Sequence, residues 1–141
     1  MITTIVSVLA AGALVVFAGP RLLTLYLERR IKQVAEQAEI TATDPLLTEL
    51  DPTRPAVVYF GAAWCSPCKL VQEPALQQLE AETDVQVIRV DLDTNRDAAR
   101  RWGVMSVPRT FVLAPGGDVH TTNLDTVHAP TLKAQVQATV G

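Results

Sequence analysis

The sequence lacks an excess of positive charge: its 141 residues carry 12 lysines and arginines against 15 aspartates and glutamates. A net charge of −3 does not supply the basic footprint of a nucleic-acid-binding domain, so we expect no nucleic-acid partner. Charged residues are also absent from Met1–Pro20. The chain is nevertheless 48% hydrophobic, which is too apolar for a disordered protein, and its length suits one globular domain beside that uncharged segment.

Cysteine is scarce as well, and this limits the kinds of site that the chain can build. Two cysteines cannot form the disulfide framework of a small secreted scaffold. They also fall short of a four-ligand zinc site, because His120 and His128 lie far along the chain in no established zinc-ligand spacing. We therefore expect no metal, which leaves Cys65 and Cys68 for redox chemistry or for burial as inert thiols. Trp64 before the pair and Lys69 after it favour an exposed redox loop, so we expect Cys65 to be exposed.

The uncharged segment Met1–Pro20 predicts a transmembrane helix. Twenty residues at about 1.5 Å each match the ~30 Å hydrocarbon core of a bilayer. A cleaved signal peptide is the alternative, but no basic residue precedes the segment and Val16-Phe17-Ala18 matches a cleavage site only loosely. Residues 21–43 then predict a helical juxtamembrane linker, and residues 44–141 a globular domain.

Basic residues near the predicted span indicate its orientation. None precedes the span, whereas Arg21, Arg29, Arg30 and Lys32 follow it. The positive-inside rule therefore predicts a single-pass protein whose globular domain lies in the cytoplasm, where thiols stay reduced. The alternative is that the domain lies on the extracytoplasmic side.

Residues 44–141 predict one α/β domain with a mixed sheet and helices on both faces. Ala56–Phe60 and Val85–Val90 are apolar, β-branched runs typical of buried strands. The helical stretch between them, which ends near Glu82, makes a strand–helix–strand unit with parallel strands. The other predicted elements are helices over Pro45–Leu50, Asn95–Trp102 and Ala129–Val140, and an antiparallel hairpin of Thr110–Leu113 and Val119–Thr122.

The motif Cys65-Ser66-Pro67-Cys68 stands where the first of these strands ends and a helix begins. The unpaired N–H groups and the positive dipole end of a helix start favour a thiolate, so Cys65 is predicted to have a depressed pKa and to act as the nucleophile. Cys68, one turn later, is placed to resolve a mixed disulfide. Pro67 stiffens the turn without costing a hydrogen bond.

Two stretches of the chain resemble the thioredoxin-like family. Trp64-Cys65-Ser66-Pro67-Cys68-Lys69 is similar to its W-C-G-P-C-K active site, with Ser66 in place of the usual glycine. The segment Gly103–Pro108 resembles the one that ends in the family's cis-proline, and Gly116-Gly117 matches its hairpin turn. The resemblance covers residues 44–141 and implies the thioredoxin fold.

The same resemblance implies thiol–disulfide exchange, with protein disulfides as substrates, an upstream thiol as electron donor and no cofactor beyond the cysteine pair. It makes Trp64, Pro67, Val107 and a cis Pro108 the residues that position the substrate. A cis X–Pro bond exposes the preceding backbone, which can pair with an extended substrate segment.

Several positions depart from the family pattern. Tyr59 replaces the buried acid that the family carries six residues before the first cysteine, and a phenol is a poor base at pH 7. Arg89 stands in place of that acid's lysine partner, and Gly61 in place of an aromatic residue. Arg109, directly after Pro108, is interpreted either as a solvated strand-end charge or as a cation that tunes Cys65 or selects acidic substrates. The helix proline, Pro74, comes one residue late, which predicts a shifted kink.

The sequence therefore predicts a membrane-tethered thiol–disulfide oxidoreductase, more specifically a protein-disulfide reductase. The alternative among enzymes is an extracytoplasmic protein that reduces apocytochrome or mispaired disulfides. A redox-sensitive binding or scaffold module is the alternative from another functional class, and reduction of insulin disulfides separates the two. An exchange enzyme turns over, and a scaffold does not.

Overall fold

The structure is a computed structural model of the chain, and it describes residues 1–7, 9, 18–32 and 43–141. The chain divides into two compact units, Met1–Gln37 and Ala38–Gly141. Helix α1 (Ile2–Ala42) supplies the first unit. The hydroxyls of Ser7 and Thr24 each donate a hydrogen bond to the carbonyl four residues earlier. Large apolar side chains along its described turns, Leu22 and Leu23 among them, are exposed.

The predicted membrane span Met1–Pro20 lies only partly within the described residues. Among residues 1–7, 9, 18–32 and 43–141, no helix is long and apolar enough to cross a membrane. Residues 8 and 10–17 of the predicted span Met1–Pro20 lie outside the described residues. The span and the domain boundaries at 20/21 and 43/44 therefore stay predictions.

The second unit is built on a four-stranded mixed sheet. Strand β1 (Ala56–Gly61) pairs in parallel with β2 (Gln86–Asp91) and antiparallel with β3 (Arg109–Leu113). Strand β4 (Val119–Asn123) pairs antiparallel with β3, so the spatial order is β2-β1-β3-β4. This confirms the predicted parallel strand–helix–strand unit and the terminal hairpin.

Helices cover both faces of the sheet, as predicted. One face carries α2 (Glu73–Glu82) and α4 (Ala129–Val140), and the other carries α3 (Arg96–Arg101). Successive side chains of β1 point to opposite faces of the sheet, as in any strand. All six residues are buried because an apolar cluster covers each face. Val57 and Tyr59 join the cluster under α2 and α4. Phe60 joins the other, where its ring packs at a tilt against Trp102 and edge-to-face against Phe111.

The predicted helix over Pro45–Leu50 is wrong in length. Only a single 3₁₀ turn forms, over Pro45–Leu47, and the Asp44 carboxylate caps it by accepting the Leu46 N–H. The chain turns away because Gln86 on β2 holds the backbone of Asp51: its side-chain oxygen accepts the Asp51 N–H and its amide donates to the Asp51 carbonyl. Those backbone groups are then no longer available to a longer helix.

Candidate active site

The two cysteines follow the buried end of β1. The Cys65 N–H donates to the carbonyl of Ala62, which folds the chain over after the strand. Cys65 and Cys68 form a disulfide with their Cα atoms 5.3 Å apart. The N–H of Cys68 also donates to the Cys65 sulfur, at 3.2 Å. A donor aimed at that sulfur is the arrangement that favours its thiolate form.

Both cysteines are buried in this oxidised form. Cys65 is only 4% exposed and Cys68 2%. The sequence predicted an exposed Cys65; instead, the neighbouring Trp64 is 66% exposed, while Cys65 packs with Ala62 into the apolar cluster beneath α2. The disulfide therefore lies at the edge of the core.

The helix that begins beside the cysteines contains an irregular turn. A π-helical turn spans Cys68–Gln72, and the N–H of Glu73 donates to the carbonyl of Cys68 rather than to that of Lys69. A π-turn is how an α-helix accommodates one extra residue. This agrees with Pro74 coming one residue late, and it allows the proline, which has no N–H to donate, to lie in the first turn of α2.

Gln72, at the end of that π-turn, holds a loop that the sequence analysis did not connect with the site. The side chain is fully buried. Its amide donates to the carbonyl of Val127, and its oxygen accepts the N–H of the same residue. A buried polar group needs such partners, and this pair ties the segment before α4 to the cysteine-bearing turn. No sequence signal marks it, because a glutamine within a helical stretch is ordinary.

Tyr59 and Gly61 have complementary shapes. The phenol of Tyr59 lies over Gly61, so that a Cβ at residue 61 would come within 2.7 Å of the Tyr59 ring carbon that bears the hydroxyl. Burial, together with the nearby Glu73 carboxylate, raises the pKa of Tyr59 to about 12, although Arg89 opposes the shift. Tyr59 is therefore a neutral phenol at pH 7 and cannot accept a proton there.

We expect Gly61→Ala to destabilise the protein by about 1–3 kcal/mol, since the added methyl group overpacks a buried ring. Urea denaturation measures this cost. In a Tyr59→Leu background, which removes the hydroxyl and its ring, the same substitution should cost less than about 0.5 kcal/mol. An equal cost in both backgrounds would show that the glycine is needed for another reason.

Arg89 connects strand β2 to helix α2 through ion pairs. It lies opposite Tyr59 in the β1–β2 register, bonds Glu73 through Nε, and pairs with both carboxylate oxygens of Glu80 at 3.1 and 2.8 Å. The hydrogen bonds that Arg89 donates to Glu80 and Glu73 raise its pKa, so Arg89 stays charged. Arg89, Tyr59 and Cys68 line one cavity of about 350 Å³, which the structure thus brings together.

The structure describes each of the predicted substrate-positioning residues. The Val107–Pro108 peptide bond is cis, and Val107 packs against the cluster that contains both cysteines. The Trp64 indole donates to Asp93 at 3.0 Å, a contact that fixes an otherwise exposed ring. Pro67 precedes the π-turn and is exposed.

Arg109 is not a freely solvated charge. One guanidinium nitrogen donates to the Gly103 carbonyl at 3.1 Å, and the side chain is half-buried. Its tuning of Cys65 and its selection of acidic substrates stay predictions.

The mixed sheet, the helix-start disulfide and the adjoining cis-proline together define a domain for thiol–disulfide exchange. Residues 34–138 match the thioredoxin family model, and the chain belongs to the thioredoxin family. The resemblance seen in the motifs is confirmed.

Individual relatives agree with this assignment. The chain is 36% identical over 88 residues to thioredoxin of Mycobacterium tuberculosis, an alignment that covers 60% of this chain and 75% of that one. It is 43% identical over 67 residues to thioredoxin H2-1 of rice, Oryza sativa, and the match spans 47% of each chain, about half the length of the rice protein. A solved mutant thioredoxin from Halobacterium salinarum superimposes with a TM-score of 0.59 at 28% identity, over 67% of this chain and 85% of that one.

Family membership and the Cys65–Cys68 pair make the domain a thiol–disulfide oxidoreductase, as the sequence predicted. Among the described residues, no group of three or more histidine, cysteine or acidic side chains could hold a metal ion. The electron carrier of such a domain is the cysteine pair itself.

Proposed function

We propose that the chain is a protein-disulfide reductase in which Cys65 attacks and Cys68 resolves. The Cys65 thiolate attacks one sulfur of a substrate disulfide and releases the other as a thiol, which leaves a mixed disulfide on Cys65. The Cys68 thiolate then attacks the Cys65 sulfur, and the second substrate thiol leaves. Two substrate sulfurs are reduced, and the enzyme pair becomes the disulfide seen here. A thiol reductase of the cell restores the pair.

The observation that carries this proposal is the N–H of Cys68 donating to the Cys65 sulfur. That donor stabilises the Cys65 thiolate, which is the form that attacks the substrate disulfide. Val107, Pro108 and the exposed Trp64 provide the surface against which an extended substrate segment would lie.

Reduction of insulin by dithiothreitol, followed by turbidity, tests the proposal with the full chain in detergent. We expect catalysis above the uncatalysed background and its loss when both cysteines are replaced by serine. A protein that binds insulin without accelerating its reduction would instead be a binding module.

We also propose that α1 tethers the domain to a membrane, with the domain in the cytoplasm. The uncharged run Met1–Pro20 and the exposed apolar side chains of Leu22, Leu23 and Leu25 support a lipid partner. The basic residues after the run support the orientation.

A membrane-impermeant maleimide tests this placement in cells that express the chain. We expect Cys65 and Cys68 to be labelled only after permeabilisation, and the chain to stay in the membrane fraction after a carbonate wash. Labelling in intact cells would place the domain on the outer side. Release by carbonate would contradict the tether.

A further inference from the structure

The second half of the reaction needs a group that takes the proton of the Cys68 thiol. With a pKa of about 12, Tyr59 cannot do so near neutral pH. The buried disulfide also limits direct access of bulk water to Cys68, which is 2% exposed. Another acceptor has to reach the Cys68 sulfur if the resolving step is to be fast at pH 7.

The cavity beside Cys68 contains the candidates. Its lining includes two carboxylates, Glu73 and Asp91, together with the ionisable side chains of Tyr59, Lys69 and Arg89. Asp91 is committed to the turn after β2, because one of its oxygens accepts the N–H groups of Asp93 and Thr94. Lys69 and Arg89 are cations and cannot accept a proton while charged.

Glu73 differs from Asp91 in position, because it directly follows the π-turn that begins at Cys68. Residues five apart in an α-helix point about 140° away from each other around the axis. The π-turn changes this, because its bond from the Glu73 N–H to the Cys68 carbonyl places the two residues one turn apart, and both side chains line the cavity. The extra residue of this chain thus brings a carboxylate to the side of the helix that carries Cys68.

Arg89 holds that carboxylate in place. It bonds one oxygen, Oε1, and within the described part of the chain no donor bonds the other, Oε2. The cavity of about 350 Å³ has room for several water molecules between Glu73 and Cys68. A proton can therefore pass from the thiol to the carboxylate through water without a change in the fold.

We infer that Glu73 serves as the proton acceptor for Cys68 in the resolving step, acting through water in the cavity lined by both residues. The Cys68 proton moves to Glu73 as the Cys68 sulfur bonds to Cys65, and the bond from Cys65 to the substrate sulfur breaks. The proton then passes to solvent or to the departing substrate thiolate. Glu73 is thus a positioning residue for proton transfer, and the inference rests on the proposed reductase function.

Glu73→Gln tests the inference, with Glu80→Gln as the matched control. Both substitutions remove one carboxylate partner of Arg89, but the lining of the cavity includes Glu73 and not Glu80. Reduced full-length protein in detergent is mixed with insulin and quenched in acid at set times. Intact mass then measures the mixed disulfide between Cys65 and insulin.

We expect Glu73→Gln to accumulate the mixed disulfide and to resolve it about tenfold more slowly at pH 6–7. The deficit should shrink as the pH rises, because hydroxide then competes with Glu73 for the thiol proton. Alkylation of Cys65 should keep its wild-type rate, and Glu80→Gln should match wild type throughout.

Three outcomes would overturn the inference: wild-type resolution by Glu73→Gln, equal slowing by both variants, or a deficit that does not depend on pH. Failure of the proposed function looks different, because the wild-type protein itself would then form no mixed disulfide with insulin.

Discussion

Cys65→Ser should lower insulin reduction to the uncatalysed background. The expected loss is complete because the Cys65 sulfur accepts the Cys68 N–H, which favours its thiolate. Cys68 cannot replace it: the residue is 2% exposed, and within the described residues no N–H donates to its sulfur. Turnover with insulin measures this, and circular dichroism confirms that the variant is folded.

Cys68→Ser should behave differently, although its turnover is also lost. Its first step remains possible, so Cys65 should become joined to insulin in a mixed disulfide that persists until an external thiol is added. Non-reducing gels and intact mass detect that species. If Cys68→Ser formed no adduct while Cys65→Ser did, the roles of the two cysteines would be reversed.

The second large effect concerns the ion pair between Asp44 and Arg101. The Asp44 side chain is completely buried, and Arg101 donates to both of its oxygens at 2.7 and 3.2 Å. Arg101→Met leaves that carboxylate buried without its cation, so we expect a loss of about 3 kcal/mol in the free energy of unfolding at pH 7. Asp44→Asn should cost only about 1 kcal/mol, because asparagine still caps the 3₁₀ turn and the Arg101 side chain, 38% exposed, can reach water.

Arg100→Met is the control for this pair. Arg100 lies on the same short helix, but its side chain is 80% exposed and its contact with Asp97 is 3.6 Å long. Such surface pairs contribute little, so the expected change is below about 0.5 kcal/mol. Equal losses for Arg100→Met and Arg101→Met in urea denaturation would refute the importance of the pair.

The free energy of unfolding should also depend on pH through the Asp44 carboxyl. Burial acts to raise the pKa of Asp44, but hydrogen bonds from Arg101 and the Leu46 N–H outweigh it and lower the pKa below the ordinary 3.8. A carboxyl whose pKa is lower in the folded state stabilises that state above its unfolded pKa and loses this contribution as pH falls through the folded pKa. The stability difference between wild type and Asp44→Asn should therefore shrink below about pH 4.

Local patterns in the sequence were sufficient for most of the domain. The apolar run at β1 and the strand–helix–strand order predicted a parallel pair, since such connections have few alternatives. The predicted α4, Ala129–Val140, agrees with the structure at both ends. The helix after Asp44 was predicted to be too long. The two hydrogen bonds between the Gln86 side chain and the Asp51 backbone redirect the chain, and they join residues that are far apart in the sequence.

The sequence predicted the cysteine pair and the proline beside it, but not the parts that Gln72 and Glu73 play in the site. Cys65, Cys68 and Pro108 stand in motifs whose order and spacing carry the meaning. The roles of Gln72 and Glu73 depend on a π-turn, and a late proline indicates a shifted kink without specifying which side chains it redirects. The burial of Cys65 was missed for a similar reason: it depends on packing against Ala62 and the cluster beneath α2, which one sequence does not reveal.

The central claim, that Cys65 is the attacking thiol, is tested most directly by competitive alkylation of the reduced wild-type protein. A limiting amount of iodoacetamide is added at pH 7, and peptide mass spectrometry counts the label on each cysteine. We predict that Cys65 is modified well ahead of Cys68, because a thiolate is the reactive form and the Cys68 N–H favours it on Cys65. Equal labelling, or faster labelling of Cys68, would contradict the assignment of the two roles.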